Sequence, residues 1–62
     1  MKLNEKIEAA VRNWPGWSPA EQRHMDEIVE EVLTYCRSGA GNAFIRSWCE
    51  RVLLKQLKGD NP

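Results

Sequence analysis

The chain reads as an all-α fold on three observations. Apolar residues recur at helical three- and four-residue spacing through most of its 62 residues. Two compact breaks, Trp14-Pro15-Gly16-Trp17-Ser18-Pro19 and Ser38-Gly39-Ala40-Gly41-Asn42, combine residues that end one helix and begin another. The chain finishes on a run of helix terminators, Gly59-Asp60-Asn61-Pro62. The predicted layout is one domain over 1–62: a short N-terminal helix, a Trp-Pro-Gly-Trp turn, then an antiparallel helical hairpin. That makes three helices, at about 3–13, 19–37 and 43–58.

Leu3, Ile7, Ala10, Val11 and Trp14 form the apolar stripe of the first helix. It must end near Asn13, because Pro15 disfavours helical geometry at the residue before it. Trp14 to Trp17 then reads as a type II turn, with Pro15 presetting φ and Gly16 supplying a positive one. Ser18 is placed to cap the second helix, Pro19 fits its first position, and Glu21 completes a capping box. Of the two tryptophans, Trp14 continues the first stripe and is expected to be mostly buried. Trp17 lies beyond the turn and is the one expected to be free to meet a partner.

In the second helix Met25, Val29, Val32 and Cys36 share one stripe, with Ile28, Leu33 and Tyr35 at its margins. Glu27, Glu30, Glu31 and Thr34 occupy the opposite side. Gly39 suits a left-handed helix end and Asn42 the next N-cap. So short a link predicts antiparallel neighbours, with Cys36 level with Phe44 and Ile45, and Cys49 level with Val32. A Cys36–Cys49 disulfide is not expected in that register.

The third helix is apolar over more than one face. Phe44, Ile45, Trp48, Cys49, Val52 and Leu53 cover roughly half its circumference at about 100° per residue. Leu54 and Leu57 lie outside that arc. One neighbouring helix covers one stripe, so these leucines need either the first helix, in a closed three-helix bundle, or another molecule. The first helix is short, which favours a homodimer in which two hairpins pack together.

Nine Lys and Arg balance nine Asp and Glu, so no overall field attracts nucleic acid or an anionic membrane. The charges are nevertheless segregated. Residues 19–35 carry Glu21, Asp26, Glu27, Glu30 and Glu31 against Arg23, a net −4, and residues 40–58 carry Arg46, Arg51, Lys55 and Lys58 against Glu50, a net +3. An acidic helix followed by a basic one favours mutual attraction of neighbours, though exposed pairs contribute little each. No apolar run approaches transmembrane length, and the start resembles neither a signal nor a transit peptide. A cytoplasmic location with reduced cysteines is expected.

Constellations for chemistry are scarce. His24 is the single histidine, and no spacing places it against Cys36 or Cys49 as a nucleophile pair. Both cysteines fall on or beside the apolar arcs and read as small core residues. The carboxylates at Asp26, Glu27, Glu30 and Glu31 would face Arg46, Arg51 and Lys55 rather than further ligands, so they read as a solvated face. The expectation is a non-enzymatic protein-binding module without metal or cofactor: a regulator, inhibitor or assembly subunit that contacts its partner through Trp17, Leu54 and Leu57. The alternative is a nucleic-acid-binding regulator using Arg51, Lys55 and Lys58, a basic i, i+4, i+7 row.

Overall fold

The computed structural model describes residues 2–59. Helix α1 spans Leu3–Asn13, α2 Pro19–Arg23, α3 Met25–Ser38 and α4 Ala43–Trp48. From α4 the chain passes directly into a π-helical turn, Cys49–Leu53, and then into α5, Leu54–Gly59. The architecture is all-α. The Asp60-Asn61-Pro62 part of the expected stop lies outside the described residues.

The α1 stripe is buried from its second turn onward: Ile7 and Val11 are in the core, and Ala10 and Trp14 pack against it. Trp14 has φ −70° and ψ 124°, the extended geometry that the following proline requires. The type II turn does not form. Positive φ among the described glycines occurs at Gly39 and Gly41, not at Gly16. Residue 16 is glycine for another reason: the Trp14 indole folds back over it, and a Cβ there would collide with the ring.

This folding-back reverses the expected roles of the two tryptophans. Trp17 is 3% exposed and its Nε1 donates to the Val11 carbonyl oxygen at 2.7 Å, whereas Trp14 is half-buried. Trp48 completes the group, with ring centroids 4.7 Å (Trp14–Trp17), 5.0 Å (Trp17–Trp48) and 5.6 Å (Trp14–Trp48) apart. Aromatic pairs at these separations stabilise beyond their buried area. The joint therefore clamps the end of α1 to the helix that starts at Ala43.

The Ser18 capping box forms as expected: Ser18 Oγ accepts from Glu21 N–H at 3.2 Å, and Glu21 Oε1 accepts from Ser18 N–H at 2.8 Å. The helix it starts is shorter than expected. At His24 the backbone leaves helical geometry (φ −112°, ψ 28°), which separates α2 from α3. The cause is unequal anchoring. Helix α2 buries no residue and is held to the joint by its cap and by Gln22 Nε2 donating to the Trp17 carbonyl at 3.2 Å. Helix α3 must instead aim Ile28, Val29 and Val32 at the core.

Helix α3 ends at Gly39 (φ 74°), whose N–H donates to the Tyr35 carbonyl at 2.7 Å, and Asn42 Oδ1 caps α4 by accepting from Ile45 N–H at 2.8 Å. The antiparallel register expected across this link is not the one found. Asn42 Nδ2 donates to Glu31 at 3.4 Å, and Ile45 shares a hollow with Ile28. Further along, Tyr35 Oη donates to Glu50 at 3.3 Å, and Cys49 shares a hollow with Cys36. Ile45 thus stands at the Ile28 level and Cys49 at the Cys36 level, whereas the expected register set Ile45 level with Cys36 and Cys49 level with Val32. The link permits this because four residues reach about 13 Å when extended, and Gly41 (φ 154°) lies against Tyr35 as the chain doubles back along α3.

Helix α1 runs antiparallel to α3. Arg12 Nη2 meets Asp26 at 2.8 Å at one end, and Leu3 borders Leu33 and Cys36 at the other. Arg12 also pairs with Glu8 at 2.9 Å, and the Asp26 contact, then Glu8, raise its pKa. The acidic and basic segments are not joined as expected: among the described residues no ion pair links α3 to the 43–59 helix. That helix crosses from α3 onto α1, and Leu57 packs against the common core. This is the closed-bundle placement for Leu57 but not for Leu54.

Candidate functional site

The π turn decides which leucines face inward. Ile45, Cys49, Leu53 and Leu57 follow one another at four-residue steps, and in a straight α-helix each step drifts about 40° around the axis. A π turn closes its hydrogen bond one residue later, here from Leu54 N–H to the Cys49 carbonyl, and so cancels much of that drift. Ile45, Cys49 and Leu53 are consequently buried and Leu57 is half-buried along one line. Leu54, beside that line, is turned outward to 50% exposure.

Around this outward turn lies an apolar hollow of about 470 Å³. Leu3 and Ile7 of α1, Tyr35 and Cys36 of α3, and Cys49, Leu53, Leu54 and Leu57 form its walls, with Glu50 the charged residue among them. Leu3, in the first turn of α1, is 64% exposed on the rim. A second hollow of about 290 Å³ continues over Leu3, Ile7 and Cys36 to Glu30, Leu33 and Arg37. Half-exposed leucines around a concavity expose hydrocarbon that water wets poorly.

The polar groups of the hollow are chemically quiet. Burial raises the Cys36 thiol pKa, and burial first, then Cys36 and Glu50, pushes that of Cys49 up to about 11. Protonated thiols are weak nucleophiles and weak ligands. Desolvation first, and then Glu50, raises the pKa of the Tyr35 hydroxyl. His24 lies at a different hollow, with Ala20, Ile28 and Phe44, and approaches Glu27 at 3.7 Å. Among the described residues no three His, Cys, Asp or Glu side chains are placed to hold a metal ion.

The residues singled out in the sequence separate into three groups. Leu54 and Leu57 meet in the hollow. Trp17 does not join them: it is sealed in the aromatic cluster, so its expected contact with a partner is withdrawn. Arg51, Lys55 and Lys58 are all exposed, and Arg51 Nε donates to the Ser47 carbonyl at 3.4 Å. Cys49 is buried as expected, but Cys36 is exposed, at the last turn of a stripe that α1 no longer covers. Phe44, assigned to the apolar arc, is 51% exposed.

Sequence reasoning missed Leu3, Tyr35, Cys36 and Glu50 as members of one site. Leu3 had a legible signal, since the first residue of an amphipathic stripe has no preceding turn to cover it. The other three depended on how the helices cross. Among the described residues, no helix is long and apolar enough to cross a membrane. Compared with protein-family models, curated proteins and solved structures, the chain has no match in any of the three.

Proposed function

We propose that this chain is a non-enzymatic protein-binding module of the cytoplasm, a regulator, inhibitor or assembly subunit, that engages its partner through the hollow and its rim leucines Leu3, Leu54 and Leu57. The observation that carries this reading is the hollow itself. Its walls are mostly hydrocarbon and thiol, with Tyr35 and Glu50 as polar members, and Leu3 and Leu54 stand 64% and 50% exposed. Covering the exposed half of one such leucine contributes about 1–2 kcal/mol, and aliphatic anchors around a concavity are what a partner's side chains can fill.

The test uses the full chain as bait in its native host, comparing wild type with Leu3→Glu/Leu54→Glu. Both positions are exposed, so the variant should keep its far-UV circular dichroism. A protein retained by wild type, a second copy included, and lost with the variant is the expected result. Retention of the same proteins by both baits would contradict the reading.

A further inference from the structure

We propose that the hollow is covered by a second copy of this chain, packed across a two-fold axis that passes close to Leu54. This inference rests on the protein-binding reading and names the partner. It comes from a stripe on the outside of the 43–59 helix: Glu50, Leu54 and Lys58, at i, i+4 and i+8, all exposed. Each four-residue step of an α-helix turns about 40°, so Glu50 and Lys58 stand on either side of Leu54, up to about 80° apart. Glu50 and Leu54 are walls of the hollow, and Lys58 follows Leu54 by one turn.

The stripe is complementary to itself when reversed. An acid stands about 6 Å before Leu54 and a base about 6 Å after it. When two copies meet antiparallel about a two-fold axis, a residue on one side of the axis faces the residue at the same distance on the other side. Leu54 then meets the partner's Leu54, and both ends bring Glu50 against Lys58 of the other copy. Among the described residues neither charge is in an ion pair: the pairs are Arg12 with Glu8, Arg12 with Asp26, and His24 with Glu27. Glu50 is instead steadied by the Tyr35 hydroxyl at 3.3 Å. The zero formal charge of the chain leaves no net repulsion between copies. A partner of one charge sign would satisfy one end of the stripe and be repelled by the other.

Charge exchange followed by sedimentation equilibrium of the full chain tests this pairing. Wild type should be a dimer. Glu50→Lys or Lys58→Glu alone should weaken it roughly ten- to thirtyfold, because each reversal sets two like-charge contacts across the axis. The combined Glu50→Lys/Lys58→Glu variant should recover to within about threefold of wild type, since opposite charges again face each other. Lys58→Glu leaves the Tyr35–Glu50 bond intact and guards against a fold effect at residue 50. A wild-type chain that stays monomeric at every concentration overturns the proposal, even if the same face takes up a different protein and the protein-binding reading survives. A combined variant no tighter than the single ones overturns it as well.

Discussion

Trp17 and Trp48 both bury an indole, but their Nε1 atoms meet different surroundings. Trp17 donates to the Val11 carbonyl, whereas Trp48 Nε1 is buried without a hydrogen-bond partner among the described residues. Replacing Trp17 by Phe removes that bond and leaves the Val11 carbonyl with the longer bond from Trp14 N–H at 3.4 Å; replacing Trp48 by Phe removes a donor that has no partner among the described residues. Trp17→Phe should therefore cost about 1–2 kcal/mol more than Trp48→Phe in urea unfolding. Equal costs would mean that the Val11 bond contributes nothing. The thiols differ too. Cys36 should be alkylated at pH 8 more than about tenfold faster than Cys49, which becomes reactive only on opening. The Cys49 pKa is raised from 9.0 to about 11 on folding, so the folded state holds its proton longer than the unfolded chain. That contribution is fully present below pH 9 and is lost as pH rises towards 11. Stability should fall over this window, and fall less steeply in Cys49→Ala. At this scale capping was legible, since Ser18, Glu21 and Asn42 bond to their immediate neighbours. The burial of Trp17 over Trp14 was not, because it depends on an indole folding back over Gly16 and on a third tryptophan arriving from residue 48.

At the scale of elements, the π turn is the device that keeps a four-residue apolar repeat facing one way. Deleting Arg51, exposed within that turn, should let Cys49–Leu53 close as ordinary α-helix while Leu53 and Leu57 stay on the core side. The shortened chain should keep its stability within about 1 kcal/mol. Deleting Glu30 from regular α3 should instead turn Val32 and Leu33 off the core face and unfold the domain. Thermal unfolding by circular dichroism compares the two, and unfolding by the Arg51 deletion would contradict this role for the turn. Helix existence was legible from periodicity, because amphipathic stripes are local properties of the chain. The break at His24 and the register of the 43–59 helix against α3 were not. Both come from competition between anchors: α2 holds to the joint, α3 to the core, and the Gly39–Asn42 link is pliant enough to follow whichever crossing buries Trp48.

For the whole molecule, the aromatic cluster closes one end and the leucine hollow leaves the other open. The surplus leucines of the third helix were visible in the sequence, and their division was not. Leu57 closes on α1 while Leu54 is turned outward, a separation set by the π turn and by where α5 meets α1. Nucleic-acid binding through Arg51, Lys55 and Lys58 would draw on three charges in a chain of zero net charge. Arg51→Glu/Lys55→Glu should therefore leave duplex binding at low salt at the same negligible level as wild type. In the proposed pairing the Leu54 face is completed by a second copy. Solution mass by light scattering over a dilution series tests it most directly. The wild-type chain should show twice its 7.2 kDa mass at high concentration and fall to the single-chain value on dilution, while Leu54→Glu stays folded at the single-chain mass throughout. A wild-type chain at 7.2 kDa across the whole series would contradict this pairing.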